Sequence, residues 1–123
     1  MRIGGCLLSG SPHWATPRAV YDALDSEYHF DFDPCPLGGG IDGLALPWFG
    51  RRVYCNPPYG RGVIDWVRRG PEADVAVFLL PARTDTEWFH WSLSRAREIR
   101  FVRGRIKFGG AKSGAPFPSV ILI

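Results

Sequence analysis

Val53-Tyr54-Cys55-Asn56-Pro57-Pro58-Tyr59-Gly60 is the stretch that most restricts how this chain can fold. An apolar, strand-forming run stops there at an amide and two prolines. The residue before a proline is pushed out of the helical region, so Asn56 reads as the start of a turn. Neither Pro57 nor Pro58 carries an N–H, so the neighbouring carbonyls lose ladder partners. The pattern predicts a rigid strand end offering two acceptors, the Asn56 side-chain oxygen and an adjacent carbonyl, beside the exposed face of Tyr59. Such a corner suits a planar ring that bears an amine, its NH2 on the acceptors and its face on the tyrosine. The same residues also describe a proline-stiffened loop with a packing tyrosine; the flanking stretches decide between the two.

At 123 residues the chain is read as a single domain spanning 1–123, with 1–13 a loose lead-in. Thr16 as N-cap and Pro17 at the first helical position open a helix. Val20, Tyr21, Leu24 and Tyr28 carry it to about Glu27. Its N-terminus, with free N–H groups and partial positive charge, suits a carboxylate. Phe30-Asp31-Phe32-Asp33 reads as a short strand ending in Asp33-Pro34-Cys35-Pro36. Leu37-Gly38-Gly39-Gly40 then lets backbone come close to whatever binds there.

An irregular bridge carrying Asp42 and Trp48 leads to a strand from Arg51 to Cys55. Asp42 reads either as a turn residue or as a receiver for a ligand hydroxyl or amine, and Trp48 as a lid or packing residue. A helix over Arg61–Arg69 ends at Gly70-Pro71. Asp74 to Leu80 is a continuous apolar run between prolines, the pattern of a buried parallel strand. Thr84-Asp85-Thr86-Glu87 fits a capping box that opens a helix through Leu93. Strands are expected at Glu98–Val102, Arg105–Phe108 and Ser119–Ile123. Strands separated by helices predict a mostly parallel α/β sheet, and the helix-free late strands an antiparallel C-terminal edge. In such sheets ligands sit at the carboxyl ends of the strands, where Asp33 and Asn56 both fall.

The cations are thirteen Arg and two Lys against twelve acidic residues. They are uneven: from Arg95 to Lys112 there are seven cations and a single acid, Glu98. If Arg105–Phe108 is a strand, Arg103, Arg105 and Lys107 alternate onto one face. With Arg83 they form the candidate contact surface for nucleic-acid phosphates and a base edge; a solvated strand pair is the plainer reading. Cys6, Cys35 and Cys55 are odd in number and far apart, so no disulfide framework and no zinc pattern is expected, and a reduced cytoplasm is the simplest compartment. His13, His29 and His90 show no ligating or catalytic spacing, and no metal site is expected. No run approaches a membrane span. A core this small with five tryptophans is compatible with a partner subunit.

Taken together, several stretches resemble the phage-type DNA N6-adenine methyltransferases. They are Trp14-x-Thr16-Pro17, Phe30 to Cys35, Asp42-Gly43-Leu44, Trp48, Asn56-Pro57-Pro58-Tyr59, Leu79 to Thr86 and Arg103 to Phe108. The likeness runs over nearly the whole chain from Trp14. It implies a reduced Rossmann-like methyltransferase sheet, S-adenosyl-L-methionine as cofactor and double-stranded DNA as partner. It implies Asn56, Pro57, Pro58 and Tyr59 as the catalytic corner for a flipped adenine. It also implies Trp14, Thr16, Pro17, Asp33, Pro34, Cys35 and Asp42 as cofactor contacts. In related enzymes Asp-Pro-x-Cys-Gly-x-Gly cradles the methionine end of the cofactor; here the stretch is Asp33-Pro34-Cys35-Pro36-Leu37-Gly38-Gly39. The chain departs from the pattern in its short bridge, which has no room for two further strand–helix units. The neighbouring readings are a methyltransferase acting on RNA, cytosine N4 or a protein glutamine, and a non-catalytic nucleic-acid-binding module of the same fold. A virus-encoded member would work in the host cytoplasm.

Overall fold

The computed structural model describes residues 15–110 and 113–123. Trp14 and the lead-in before it lie outside them. Helix α1 (Arg18–Tyr28) packs on a four-stranded sheet of β1 (Arg52–Cys55), β2 (Val75–Pro81), β3 (Ile99–Phe101) and β4 (Ser119–Leu122). Helices α2 (Val63–Val67) and α3 (Glu87–Arg95) connect the strands. The sheet order is β1-β2-β4-β3.

Side-chain alternation sorts the strands into two buried layers. Val53, Cys55, Phe78, Leu80, Val120 and Leu122 pack with Trp48, Trp66 and Phe89 on the α2/α3 face. Tyr54, Val77, Leu79 and Ile121 pack with Leu24, Ile106, Phe108 and Phe117 on the α1 face. β2 is central and covered on both sides, which is why its sequence shows no polar alternation. Because Tyr54 faces α1, the same parity points Asn56 towards that layer.

The sheet is mixed rather than mostly parallel: β1 and β2 run parallel, while β2–β4 and β4–β3 are antiparallel. The expected strand at Phe30–Asp33 contributes a single parallel bridge, Phe32 to Val53. Asp31 N–H and Tyr54 N–H complete that rung, on the Arg52 and Phe32 carbonyls at 2.9 and 3.0 Å. Pro34 and Pro36 follow and cannot donate, so no ladder grows from it.

The expected strand at Arg105–Phe108 is also absent. Gly104 turns the chain at φ 74°, one backbone bond joins Ala115 N–H to the Ile106 carbonyl at 2.9 Å, and a 3-10 turn follows at Phe108–Gly110. Ile106 and Phe108 are buried, and Arg105 and Lys107 exposed, without a strand partner. Their alternation comes from a tucked loop.

Both helix starts shift from the expected positions. Pro17, not Thr16, is the N-cap of α1. Thr86 rather than Thr84 caps α3, its hydroxyl accepting from Phe89 N–H at 3.3 Å. Thr84 is used instead in a tight turn, its N–H on the Ala82 carbonyl at 3.0 Å.

The short bridge is held by contacts distant in sequence. Trp48 is fully buried, stacks on Phe78 and donates from Nε1 to the Gly43 carbonyl at 2.9 Å. It is a packing residue. Arg69 reaches across from the end of α2, donating to the Leu44 and Leu46 carbonyls at 2.6 and 2.8 Å and pairing with Glu72. Its guanidinium also lies over the Trp48 ring.

Candidate active site

β1 ends at Cys55, whose partner in β2 is Phe78. Pro57 and Pro58 have no N–H to continue that ladder. The Tyr59 hydroxyl comes to the vacated position, 3.1 Å from the Leu79 carbonyl and 2.7 Å from Asn56 Oδ1. Tyr59 was expected to present an open face. Its ring instead packs edge-to-face with Phe108 and Phe117, at centroid distances of 6.4 and 5.6 Å. Burial pushes the Tyr59 phenol well above its ordinary pKa, with Tyr54 and Cys55 adding to the effect, so it stays protonated.

On the other side of Asn56 the amide nitrogen donates to Thr16 Oγ1 at 3.1 Å, and Thr16 Oγ1 lies 2.5 Å from the Tyr54 hydroxyl. Freed from capping α1, Thr16 therefore ties the residues before the helix to the end of β1. Tyr54 is buried in an aromatic wall with Tyr21 and Phe30, at 5.1 and 5.4 Å. Burial also raises its phenol pKa.

These groups open on a cleft of about 460 Å³, whose lining includes Thr16, Arg18, Asp33, Cys35, Tyr54 and Asn56, with Asp22 and Asp25 adding acidic groups. The volume lies in the range of small-molecule sites. Thr16, Asp33, Cys35 and Asn56, singled out in sequence, thus meet in one crevice at the carboxyl end of β1. Pro34 is buried behind it, and Pro17 sits between two lining residues as the helix cap. Asp42 is not among the lining residues; its carbonyl accepts from Ala45 N–H at 3.0 Å in a turn. Arg18, Tyr54 and the carbonyl of Leu79 were not singled out in sequence. For Tyr54 the signal was its two-residue spacing from Asn56.

Burial raises the Asp33 carboxyl from 3.8 to about 6, against a smaller opposing effect of Cys35 N–H, which donates to Oδ1 at 2.9 Å. In the ligand-free protein this group favours folding below pH 4, and that contribution is lost as the pH rises through 6. Removing the charge with Asp33→Asn is expected to abolish the fall. Urea unfolding from pH 4 to 7.5 should show the variant gaining on the parent through that window, by about 2 to 3 kcal/mol at its upper end. Cys35 is disulfide-bonded, a departure from the expectation of reduced thiols; Cys55 is a free, buried thiol.

The basic residues lie apart from the cleft. Arg83, Arg103, Arg105 and Lys107 are exposed. Arg83 lies over the Phe117 ring at 5.3 Å, and Arg105 donates to the Ala115 carbonyl at 3.1 Å. Phe117 also touches Tyr59, so Arg83 stands one aromatic ring from the Asn56 corner. Of the charge run, Arg100 is engaged internally, by Glu27, Glu98 and the Tyr28 hydroxyl. The described histidines are structural: His29 closes α1 in a left-handed conformation, and His90 contacts the Thr84 carbonyl at 2.7 Å.

Comparison with known proteins bears on this arrangement. The profile of a family described as DNA N-6-adenine-methyltransferase (Dam) matches residues 40–120, a span that contains the Asn56 corner and all four basic residues. The chain is similar to the DNA N-6-adenine-methyltransferase of Haemophilus phage HP1 (strain HP1c1), with 28% identity over 119 residues, covering 82% of this chain and 68% of that protein. No solved structure matches the chain.

Proposed function

The chain belongs to the DNA N-6-adenine-methyltransferase (Dam) family, and from that premise we propose how its cleft carries out adenine methylation. It is an enzyme that methylates adenine N6 in DNA. The observation that carries the residue assignment is the meeting of Asn56, Thr16 and Asp33 on one cleft.

The cleft fits S-adenosyl-L-methionine by its donor set. A cofactor with an ammonium, a sulfonium and a carboxylate meets the acidic wall of Asp22, Asp25 and Asp33 and, beside it, Arg18 and the N-terminus of α1. Thr16, Asp33 and Cys35, which line the cleft, hold the methionine end, with Pro17 and Pro34 setting the backbone beside them. Trp14 and Asp42 are assigned to the cofactor on the family resemblance alone. When bound, the cofactor supplies an electrophilic methyl group.

The rest of the chemistry belongs to this chain. Adenine's exocyclic nitrogen is a poor nucleophile because its lone pair is delocalised into the ring. Asn56 Oδ1 and the Pro57 carbonyl each accept one of its N–H groups, which favours a tetrahedral nitrogen with an available lone pair. Fixed acceptors of this kind stabilise charge as it develops and align the reacting atoms. Pro58 stiffens the corner, and Tyr59 backs Asn56 from the protein side. The amine is inaccessible within a duplex, so the base is flipped out to reach the corner. Arg83, Arg103, Arg105 and Lys107 contact the DNA phosphates and orient the duplex. The mixed sheet is a cut-down Rossmann-like methyltransferase sheet, and the protein acts in the cytoplasm, that of the host where the gene is viral. Among the described residues no helix is long and apolar enough to cross a membrane.

Incubating unmethylated duplex DNA with methyl-labelled cofactor and digesting it to nucleosides tests this reading. Label is expected in N6-methyladenine. Label in N4-methylcytosine, in RNA or in protein alone would replace the substrate. Cofactor-independent DNA binding with no label would leave a binding module.

The phosphate role has its own signature. Arg103→Ala and Lys107→Ala are each expected to weaken DNA binding without regard to sequence. Each should lower the slope of log K against log salt by about 1. A slope unchanged in both variants would place the duplex elsewhere on the surface.

A further inference from the structure

Arg83 differs from the other cations in how it is held. The β2–β4 register that pairs Pro81 with Ser119 carries on past the strand ends, where Ala82 N–H donates to the Pro118 carbonyl at 2.9 Å. Two residues out, that register sets Arg83 opposite Phe117, and the guanidinium carbon lies 5.3 Å from the ring centroid. Phe117 is only 4% exposed, so the ring is a fixed support. The backbone under the side chain is tied as well. Arg83 N–H donates to the Pro81 carbonyl at 2.8 Å, and the Arg83 carbonyl accepts from Thr86 N–H and Thr86 Oγ1 at 3.1 and 2.7 Å. Arg83 is exposed, and among the described residues its guanidinium has no hydrogen-bond acceptor and no ion pair. None of the other three basic residues combines these features: Arg105 donates to the Ala115 carbonyl, Lys107 has no planar fork, and Arg103 has no ring beneath it among the described residues.

We propose that Arg83 reads the major-groove edge of a guanine close to the target adenine, a specificity role beyond the phosphate contact assigned above. This inference rests on the Asn56 corner being the seat of the flipped adenine. A guanidinium carries donors only, so it selects a base edge with two acceptors side by side. Guanine alone offers that, through O6 and N7; adenine sets an amino donor beside its N7, thymine a methyl beside its O4, and cytosine a donor. A phosphate accepts charge from many directions, but a two-bond contact to a base needs the fork held in one orientation. The ring and the tied turn supply that orientation before DNA arrives. Two of the five N–H groups meet the guanine, and the others remain for a backbone oxygen. Position fits the same role. Phe117 packs on Tyr59 at 5.6 Å, and the Tyr59 hydroxyl is hydrogen-bonded to Asn56 at 2.7 Å. Successive base pairs stack about 3.4 Å apart, so a guanidinium one ring from the corner covers base pairs within about three steps of the target.

A duplex library with a central adenine between randomised base pairs, methylated by the parent, Arg83→Ala and Arg83→Lys and then read for N6-methyladenine, tests the assignment. The parent is expected to favour guanine at one position within three base pairs of the target, by about tenfold to a hundredfold. Both variants should bring that ratio to within about twofold of one, the lysine included, because an ammonium keeps the charge but lacks the fork. No guanine preference in the parent, or a preference retained by Arg83→Lys, would overturn the proposal. So would a fall in rate equal for every flanking sequence, the mark of a phosphate contact alone. Placing 7-deazaguanine at the preferred position removes the N7 acceptor. It should slow the parent about fivefold or more and Arg83→Ala by less than about twofold; equal slowing of both would assign the guanine to another residue. A parent that methylates adenine in no flanking sequence would instead remove the reading beneath, so the two failures are distinguishable.

Discussion

Asn56→Ala is expected to lower kcat by on the order of a hundredfold or more, the loss typical of removing one preorganised acceptor or donor from a developing charge. Cofactor affinity should change little, because the acidic wall of Asp22, Asp25 and Asp33 remains. Asn56 is part-buried and tied on both sides, to Tyr59 Oη at 2.7 Å and Thr16 Oγ1 at 3.1 Å. Truncation therefore also loosens Thr16, and a modest fall in stability should accompany the loss of rate. Single-turnover kinetics with labelled cofactor, alongside calorimetric titration of that cofactor, separate the two effects. A rate within threefold of the parent would take Asn56 out of the reaction.

The second large effect falls on folding. A Cβ at Gly43 would sit 1.9 Å from the Pro34 carbonyl oxygen and 2.6 Å from its carbon, both backbone atoms that cannot rotate away. Gly43→Ala must push the bridge off the Asp33-Pro34 turn, and Trp48, which donates to the Gly43 carbonyl, moves with it. A loss of about 3 kcal/mol or more is expected, at the upper end of overpacking costs. Thermal unfolding should show it as a drop in Tm of roughly 10 °C or more. The variant should also bind cofactor more weakly, because Pro34 sits between the clash and Asp33. An unchanged Tm would mean that the bridge tolerates the displacement.

How far the fold could be read from sequence depended on whether a segment's structure was local. β2 was legible as an unbroken apolar run because it is covered on both faces. Helix α1 was legible from its apolar spacing, though Thr16 lost its cap role to a tertiary bond with Asn56. Phe30–Asp33 and Arg105–Phe108 carried strand-like patterns without strand partners: prolines stopped the first and a left-handed Gly104 turned the second. The meeting of Asp33 with Asn56 was legible because strand ends gather at one edge of an α/β sheet. Tyr59's orientation was not, since it is set by Phe108 and Phe117, about fifty residues further along. Arg69 was equally hidden: no local pattern marks an arginine whose partners are two carbonyls some twenty-five positions earlier.

That arginine alters what the chain's electrostatics mean. Arg69 is committed to fastening a loop, and Arg100 to three groups that join β3 to α1. A tally of +3 therefore misdescribes what a duplex encounters. Long-range attraction from so small an excess is feeble at cellular ionic strength, where fields fade within about 8 Å. On the proposed reading, productive encounters depend on the exposed Arg83, Arg103, Arg105 and Lys107. Docking becomes a matter of aim rather than of pull.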